Sequence, residues 1–260
     1  MTVDGTALVT GASAGIGRAL TEEFAAHDHD VVLVARREEK LRVAADEVEA
    51  EYDVDTHIVT KDLASREAPH ELYEETQERG IEVDVLVNNV GIGTQGAFVE
   101  NDLDRELDQM QLNMVTPTQL THLYGGDMAE RGSGGVLNVA STGAWFPGPF
   151  MAVYYASKAY MKSFSEAISE ELRSEGVSVT VLCPGPVETE FQSRASMTDT
   201  PLGSGQMQDV EMVAEEGYEG LQAGKPVVVT GWKYKLLTKL SNVLPNRLTT
   251  QSAKDLNTSE

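Results

Sequence analysis

Short apolar runs alternate with longer amphipathic stretches along most of this chain. The runs are rich in valine, leucine and isoleucine, which is typical of strands buried inside a sheet. They occupy residues 6–10, 31–34, 54–59, 83–87, 134–140, 177–182 and 226–230. Strands that alternate with helices in this way predict one doubly wound α/β domain, in which helices cover both faces of a parallel sheet.

Three helical stretches and one polar connection carry further expectations. Residues 103–128 predict a long helix, which Pro117 should bend or re-cap. Helices are also expected over residues 150–173 and 209–222. Residues 189–206 are polar, contain glycines and a proline, and show no clear period. A connection of this length is a candidate substrate lid.

A glycine-rich turn follows the first predicted strand. Gly11, Gly15 and Gly17 have the spacing G-x-x-x-G-x-G and lead into a helical stretch. Glycines between a strand and a helix allow backbone N–H groups to approach a phosphate closely. An ordinary turn rich in small residues would look similar. The position directly after the first strand favours the binding of a dinucleotide cofactor.

Two arginines and no acid follow the second predicted strand. In a dinucleotide-binding fold, the end of this strand lies beside the adenosine ribose, where an acid would accept a hydrogen bond from the 2′-OH. Arg36 and Arg37 stand here instead. Arginine presents a planar fork of donors that suits a phosphate. We interpret Arg36 as a ligand of the 2′-phosphate, which predicts NADP as the cofactor, with NAD as the alternative.

Tyr154 and Lys158 are the candidate catalytic pair. They are four residues apart, so a helix presents both side chains on one face. A fixed ammonium favours the phenolate and should lower the phenol pKa from about 10. Ser141, thirteen residues upstream, could hold a substrate oxygen against the same phenol. The alternative is a half-buried aromatic beside a solvated lysine.

The charge and composition exclude several classes of protein. The formal net charge is −22, which argues against nucleic acid as a partner, and acids spread over helical faces resemble the surfaces of proteins from salt-loving organisms. The single cysteine, Cys183, fits a reducing compartment, so a cytoplasmic location is expected. No apolar run approaches the roughly 18 to 20 residues of a membrane span, so stable membrane insertion is not expected. The histidines show no metal-ligand spacing.

The charge pattern reverses near the C-terminus. Residues 220–254 contain six bases and no acid, and apolar residues recur there at helical spacing. These apolar residues are Trp232, Leu236, Leu237, Leu240, Val243 and Leu244. Residues 1–231 are therefore predicted as the catalytic domain, and residues 232–260 as a basic amphipathic helix with a frayed polar tail beyond Thr249.

Two surfaces could receive this C-terminal helix. A basic amphipathic helix can lie on an anionic membrane. We favour docking on an acidic face of the same subunit or of a neighbour, because the acidic body would be repelled by anionic lipid. The protein is then expected to form a homodimer or homotetramer and to stay off vesicles at physiological salt.

In their order along the chain, these motifs resemble the short-chain dehydrogenase/reductase family. The residues that carry the resemblance are Thr10-Gly11-x-x-x-Gly15-x-Gly17, Asn88-Asn89-x-Gly91, Asn113, Ser141, Tyr154-x-x-x-Lys158 and Pro184-Gly185. The resemblance implies a Rossmann-type sheet of about seven strands. It also implies hydride transfer between a nicotinamide and a small carbonyl or alcohol substrate. A non-catalytic NADP-binding regulator is the alternative from another class.

The resemblance assigns roles to individual positions. Tyr154 would be the general acid-base, Lys158 would lower its pKa and bind the nicotinamide ribose, and Ser141 would polarise the carbonyl. Asn113 would hold a helix kink and a water in a proton relay. The implied cofactor-binding residues are Gly11, Ser13, Gly15, Ile16, Gly17, Arg36, Asp62, Leu63, Asn89, Gly91, Tyr154, Lys158, Pro184, Gly185, Val187 and Thr189. Ala14 and Val90 depart from the family pattern, since a basic residue and an alanine are usual there.

Overall fold

Seven parallel strands form a single sheet at the centre of the computed structural model, which describes residues 3–195, 197, 200–241 and 244–258. Its spatial order is β3-β2-β1-β4-β5-β6-β7. In chain order, β1 to β7 span Ala7–Thr10, Val31–Ala35, Thr56–Thr60, Val85–Asn88, Gly134–Val139, Val177–Cys183 and Val227–Val229. The predicted doubly wound parallel sheet is confirmed.

Helices cover both faces of this sheet. In chain order, α1 to α11 span Gly15–Ala25, Glu38–Glu51, Ala68–Glu78, Leu103–Met110, Thr116–Arg131, Ala152–Leu172, Phe191–Arg194, Pro201–Ser204, Val210–Gln222, Trp232–Ser241 and Asn246–Asn257. Side chains of adjacent strand residues point to opposite faces. Val9 and Leu33 therefore pack in the apolar cluster that includes α1 and α9. Leu8 and Val32 pack in the opposite cluster, which includes α3 and α5.

The chain reverses its direction of winding between β1 and β4. These two strands are neighbours, whereas β2 and β3 extend the sheet to one side and β5 to β7 to the other. In open α/β sheets, ligands bind beside the carboxyl ends of the strands at such a point. The fold therefore places its main crevice where the glycine turn follows β1.

The predicted long helix over residues 103–128 is interrupted before Pro117. Helix α4 ends at Met110, and a π-helical turn at Gln111–Val115 joins it to α5. The irregularity therefore lies around Asn113, whose side chain is buried and bonded outside the helix. Pro117 occupies the first turn of α5, where the missing N–H costs little.

The C-terminal region differs from its prediction. Helix α10 ends at Ser241, and a second helix, α11, continues to Asn257 where a frayed tail was expected. Asn257 is fully buried, so tertiary contacts hold this helix despite its polar sequence. Within the predicted lid 189–206, the short helices α7 and α8 form. Ser196, Thr198 and Asp199 of that lid, and Val243 of the predicted apolar stripe, lie outside the described residues.

Candidate active site

A cavity of about 1150 Å³ lies along the carboxyl ends of the strands. It exceeds the roughly 300 to 1000 Å³ typical of small-molecule pockets, so it has room for a dinucleotide and a substrate together. The structure brings the following sequence-predicted residues to its wall: Gly11, Ser13, Gly15, Ile16, Arg36, Asp62, Leu63, Asn89, Gly91, Ser141, Tyr154, Lys158, Pro184, Gly185, Val187 and Thr189. Gly17 and Asn113 are the exceptions and lie behind this wall.

The glycine turn requires residues without a side chain. Gly11 and Gly15 have φ values of +73° and +57°, in the left-handed region that favours glycine. A Cβ on Gly17 would lie 2.4 Å from the carbonyl oxygen of Gly11. Helix α1 begins at Gly15 without a capping side chain, and no acid occupies its first turn. Its first N–H groups can therefore receive an anion.

Asn89 and Thr10 join the ends of the two central strands. The Asn89 side-chain amide donates to the carbonyl oxygen of Thr10 over 2.9 Å. The Thr10 hydroxyl accepts from the backbone N–H groups of Asn89 and Val90 over 3.0 and 3.1 Å. These bonds hold the loop after β4 against the glycine turn and fix the floor of the cavity.

Both arginines after β2 line the cavity, but their contacts differ. Arg36 is exposed, and its Nη1 lies 3.5 Å from Oδ2 of Asp62. Arg37 donates from Nη2 to the Ser13 hydroxyl over 3.2 Å, and its Nη1 lies 3.0 Å from Oε2 of Glu190. Sequence reasoning singled out Arg36 alone. Arg37 therefore belongs to the same basic edge of the cavity.

Ser141 and Tyr154 meet at the other end of the cavity. Ser141 lies two residues beyond the end of β5, and its Oγ accepts from the N–H of Gly143 over 3.0 Å. The polar Ser141 side chain near the Tyr154 phenol acts to lower the phenol pKa. Burial has the larger, opposite effect and raises the pKa of Tyr154 above its ordinary value. The lowering of the Tyr154 pKa that the sequence predicted is therefore not found, because loss of solvent around the phenol outweighs the effect of Ser141.

Lys158 lies one helical turn beyond Tyr154 and is buried. Its Nζ donates to the carbonyl oxygen of Val139 over 2.9 Å and lies 5.7 Å from the centre of the Tyr154 ring. Burial lowers the pKa of Lys158 to about 8. The lysine can thus change its protonation state within the ordinary working range of an enzyme.

Asn113 contacts the site from behind. Its Oδ1 accepts from the N–H of Ile92 over 3.0 Å, and its Nδ2 donates to the Ile92 carbonyl over 2.9 Å and to Ser157 Oγ over 3.1 Å. The side chain thereby ties the loop after β4 to α6. A Cβ on Gly91 would lie 3.2 Å from Asn113 Oδ1, a tight contact, and 3.5 Å from Lys158 Nζ, so a larger residue would press on Asn113 first.

The C-terminal helices form a wall of the cavity that sequence reasoning missed. Tyr234 of α10 packs against Gly185, where an added Cβ would lie 2.5 Å from the tyrosine ring. Asn257 of α11 accepts from the Tyr155 hydroxyl over 3.2 Å and donates to the carbonyl oxygen of Pro149 over 3.0 Å. The Gln95 amide donates to the Asn257 backbone carbonyl over 3.0 Å. A single asparagine in a polar segment offers no sequence signal for these contacts.

Comparisons with known proteins agree with this geometry. Residues 5–200 match the family model for short chain dehydrogenases. Very-long-chain 3-oxoacyl-CoA reductase of Anas platyrhynchos is 33% identical over 241 residues, which cover 89% of this chain and 75% of that protein. Inactive hydroxysteroid dehydrogenase-like protein 1 of Homo sapiens is 34% identical over 188 residues, 71% of this chain and 56% of that protein.

A solved structure extends the likeness to the whole fold. The short-chain dehydrogenase from Sphingobium yanoikuyae in complex with NADPH superposes with a TM-score of 0.82 at 25% identity, covering 92% of this chain and 94% of that one. The matched residues include the glycine turn and the segment from Ser141 to Lys158. On the family match and the identity to its relatives, this chain belongs to the short-chain dehydrogenase family.

Proposed function

We propose that this protein is an NADP(H)-dependent oxidoreductase that interconverts a ketone or aldehyde with its alcohol. The observation that carries the proposal is that Ser141, Tyr154 and buried Lys158, one turn beyond the tyrosine, line one cavity that also contains the glycine turn. Such a site provides a phenol from Tyr154, a hydroxyl from Ser141 and an ammonium from Lys158. Together these groups can stabilise a carbonyl oxygen that gains negative charge during reduction.

The residues of the cavity fit a nicotinamide dinucleotide. The turn at Gly11 and Gly15 and the uncapped start of α1 form a cradle for a diphosphate, which a Cβ on either glycine would disturb. Thr189 packs against Gly15 and would close this cradle from the opposite side. A bound NADPH would supply the hydride for the carbonyl carbon.

Proton transfer is the task of Tyr154. Its hydroxyl would donate a proton to the developing alkoxide, while Ser141 donates a hydrogen bond to the same oxygen. The Lys158 ammonium would stabilise the tyrosinate that remains. A positioned acid contributes roughly 10²- to 10⁴-fold in rate, and the remaining acceleration would come from holding the reacting atoms together.

The basic edge of the cavity favours NADP over NAD. Arg36 and Arg37 both face the region beyond β2 where the adenosine ribose would lie, and no acid follows this strand directly. The ion pairs with Asp62 and Glu190 leave each guanidinium further donors for a phosphate. An NAD-linked enzyme with the same chemistry is the alternative.

An apolar carbonyl compound is the substrate class that the cavity favours. The wall near Tyr154 is built from Phe146, Met151, Met197 and Leu202, which pack around the tyrosine. Leucines of the C-terminal helices continue this apolar lining. The similarity to very-long-chain 3-oxoacyl-CoA reductase points in the same direction, towards a carbonyl group on an extended apolar chain.

A non-catalytic nucleotide-binding protein is the second candidate. A relative named as inactive is as similar to this chain as one named as a reductase. Retention of Ser141, Tyr154 and Lys158 in one connected site argues against this candidate, because a sensor has no need of them.

The direct test is to follow the oxidation of NADPH and NADH with a graded series of ketones, aldehydes and 3-oxoacyl thioesters. Turnover that is faster with NADPH and rises with the apolar length of the substrate would support the proposal. Tight NADPH binding without turnover of any carbonyl compound would support the non-catalytic alternative.

A further inference from the structure

Helix α10 turns its apolar face towards solvent. Trp232, Leu236 and Leu240 lie one turn apart along the helix and are 72%, 52% and 46% exposed. The opposite face is more polar: Thr238 is buried, and Tyr234 packs against the loop after β6. An amphipathic helix on a globular domain normally buries its apolar stripe. This reversed orientation indicates that something outside the subunit covers the stripe.

Helix α11 continues the same exposed surface. Thr249, Ala253 and Asn257 recur every four residues and face the protein, whereas Leu248 and Leu256 are exposed. We call the exposed large apolar residues of α10, of α11 and of the segment between them the C-terminal surface. These residues are Trp232, Leu236, Leu237, Leu240, Leu244, Leu248 and Leu256. Seven exposed large apolar side chains in this short stretch of chain require an explanation.

Basic residues surround this C-terminal surface. Lys233 and Lys239 flank the apolar stripe of α10. An α-helix turns by about 100° per residue, which puts these two lysines on opposite sides of the line through Trp232, Leu236 and Leu240. Residues 220–258 contain six bases and one acid, Asp255, whereas residues 1–219 carry 14 bases and 40 acids. Lys235 pairs with Glu216 over 2.6 Å, whereas Lys233 donates to the uncharged side chain of Gln206 over 3.0 Å. An apolar stripe between lysines is typical of a helix that lies in a lipid interface.

We propose that the C-terminal surface docks on the face of an anionic phospholipid bilayer. The two helices would lie in the interface, with Trp232 and the leucines among the lipid chains and the lysines at the phosphates. The proposed contact is peripheral, with the helices lying in the plane of the interface. No helix of the described residues is long and apolar enough to cross a bilayer. Because charges beyond about 8 Å are screened at physiological salt, the local bases outweigh the distant acids of the body.

The position of the surface favours lipid over a second protein molecule. Leu237, Leu244, Leu248 and Leu256 belong both to the C-terminal surface and to the cavity wall. A second subunit seated there would close this side of the cavity, whereas a bilayer would expose it to apolar molecules. The docking proposal is argued from the exposure of these apolar side chains and the charge of the nearby lysines. Only the idea that a bilayer would deliver substrate to the cavity rests on the proposed function. The sequence favoured docking on an acidic face of the same subunit or of a neighbour, and contacts within the subunit leave these side chains exposed.

The experiment is co-sedimentation of the full chain with vesicles of phosphatidylcholine alone or mixed with phosphatidylglycerol. We expect binding to the anionic vesicles at low salt, a steep fall with added salt, and little binding to the neutral vesicles. Trp232→Ser with Leu236→Ser should reduce the bound fraction roughly tenfold or more, because both side chains lose their apolar contact with lipid. Lys233→Glu with Lys239→Glu should abolish the preference for anionic vesicles.

A matched control comes from helix α4. Leu103 and Leu107 are also four residues apart and are 63% and 50% exposed, but acids accompany them in the sequence. Leu103→Ser with Leu107→Ser should leave vesicle binding unchanged. Equal losses in the two double variants would overturn the proposal, as would absence of binding at every salt concentration. A smaller oligomer in the Trp232/Leu236 variant, without vesicle binding by the parent protein, would assign the surface to a second copy.

Discussion

The two walls of the cavity are built in different ways. The wall at the strand ends contains Ser141 and the glycine turn, and main-chain bonds of the sheet fix it, with Thr10 and Asn89 linking the two central strands. The opposite wall consists of α10 and α11. Outside the sheet, α11 depends on side-chain contacts such as those of Asn257 with Tyr155 and Pro149.

This difference suggests separate roles for the two walls: the wall at the strand ends holds the reacting groups, and the wall of α10 and α11 selects the substrate. A wall fixed by the sheet can hold reacting groups within the small tolerances that catalysis needs. A wall attached by a few polar contacts can change shape, because removing one contact frees a whole helix while leaving the sheet intact. Substitutions in the first wall should therefore change kcat, and substitutions in the second should change KM.

The largest effect is expected from Tyr154→Phe. The change removes only the acidic hydroxyl, so turnover should fall by roughly 10²- to 10⁴-fold while NADPH affinity stays the same. Steady-state kinetics and a fluorescence titration of NADPH measure the two quantities. Tyr155→Phe is the matched control, since it removes a hydroxyl that bonds the C-terminal wall. A variant Tyr154→Phe that kept more than a few per cent of kcat would contradict the assignment.

A second test concerns pH. Lys158 has its pKa lowered to about 8 by burial, so its ammonium is present below that pH and is lost as the pH rises through it. Since the ammonium stabilises the tyrosinate, kcat for carbonyl reduction should fall on the alkaline side of pH 8. In Lys158→Arg the cation persists to about pH 12. The fall should therefore move to higher pH, and an unchanged profile would assign it to another group.

A smaller effect is expected from Arg36→Asp. The carboxylate would repel a 2′-phosphate and accept from a free 2′-OH, so preference should shift from NADPH towards NADH by about tenfold or more. The ratio of the two dissociation constants measures the shift. Arg42→Asp, the same charge change on the exposed face of α2, should have little effect. Equal affinities for NADPH and NADH in the parent protein would already contradict this prediction.

The smallest effect should come from Asn257→Leu. The variant keeps the branching and the number of heavy atoms of the side chain but leaves the Tyr155 hydroxyl and the Pro149 carbonyl without their partner, which should destabilise the protein by about 1 to 3 kcal/mol. Release of α11 should raise KM for bulky substrates several-fold while kcat and NADPH affinity stay close to those of the parent.

Limited proteolysis would report the release of α11 directly. Gln251→Leu lies on the exposed side of the same helix, where its amide bonds Asp255, and is the control. If Asn257→Leu lowered kcat and left KM unchanged, the proposed division between the two walls would be wrong.

The strand ends and their motifs could be predicted from sequence because each depends on local rules. Buried strands produce apolar runs, and a turn at positive φ needs glycine, so Gly11 and Gly15 carry a recognisable spacing. Tyr154 and Lys158 lie on one face because any helix places residues four apart together. The doubly wound sheet follows from the alternation of these elements along the chain.

Only the tertiary structure decided the rest. The break around Asn113 depends on bonds to Ile92 and Ser157, and the pKa of Tyr154 depends on how deeply the fold buries it. Helix α11 has a polar sequence, and its fully buried Asn257 finds partners more than 100 positions away. Local rules say nothing about such distant pairs. The sequence therefore determined the sheet and its reactive residues, whereas long-range packing determined the wall that faces them.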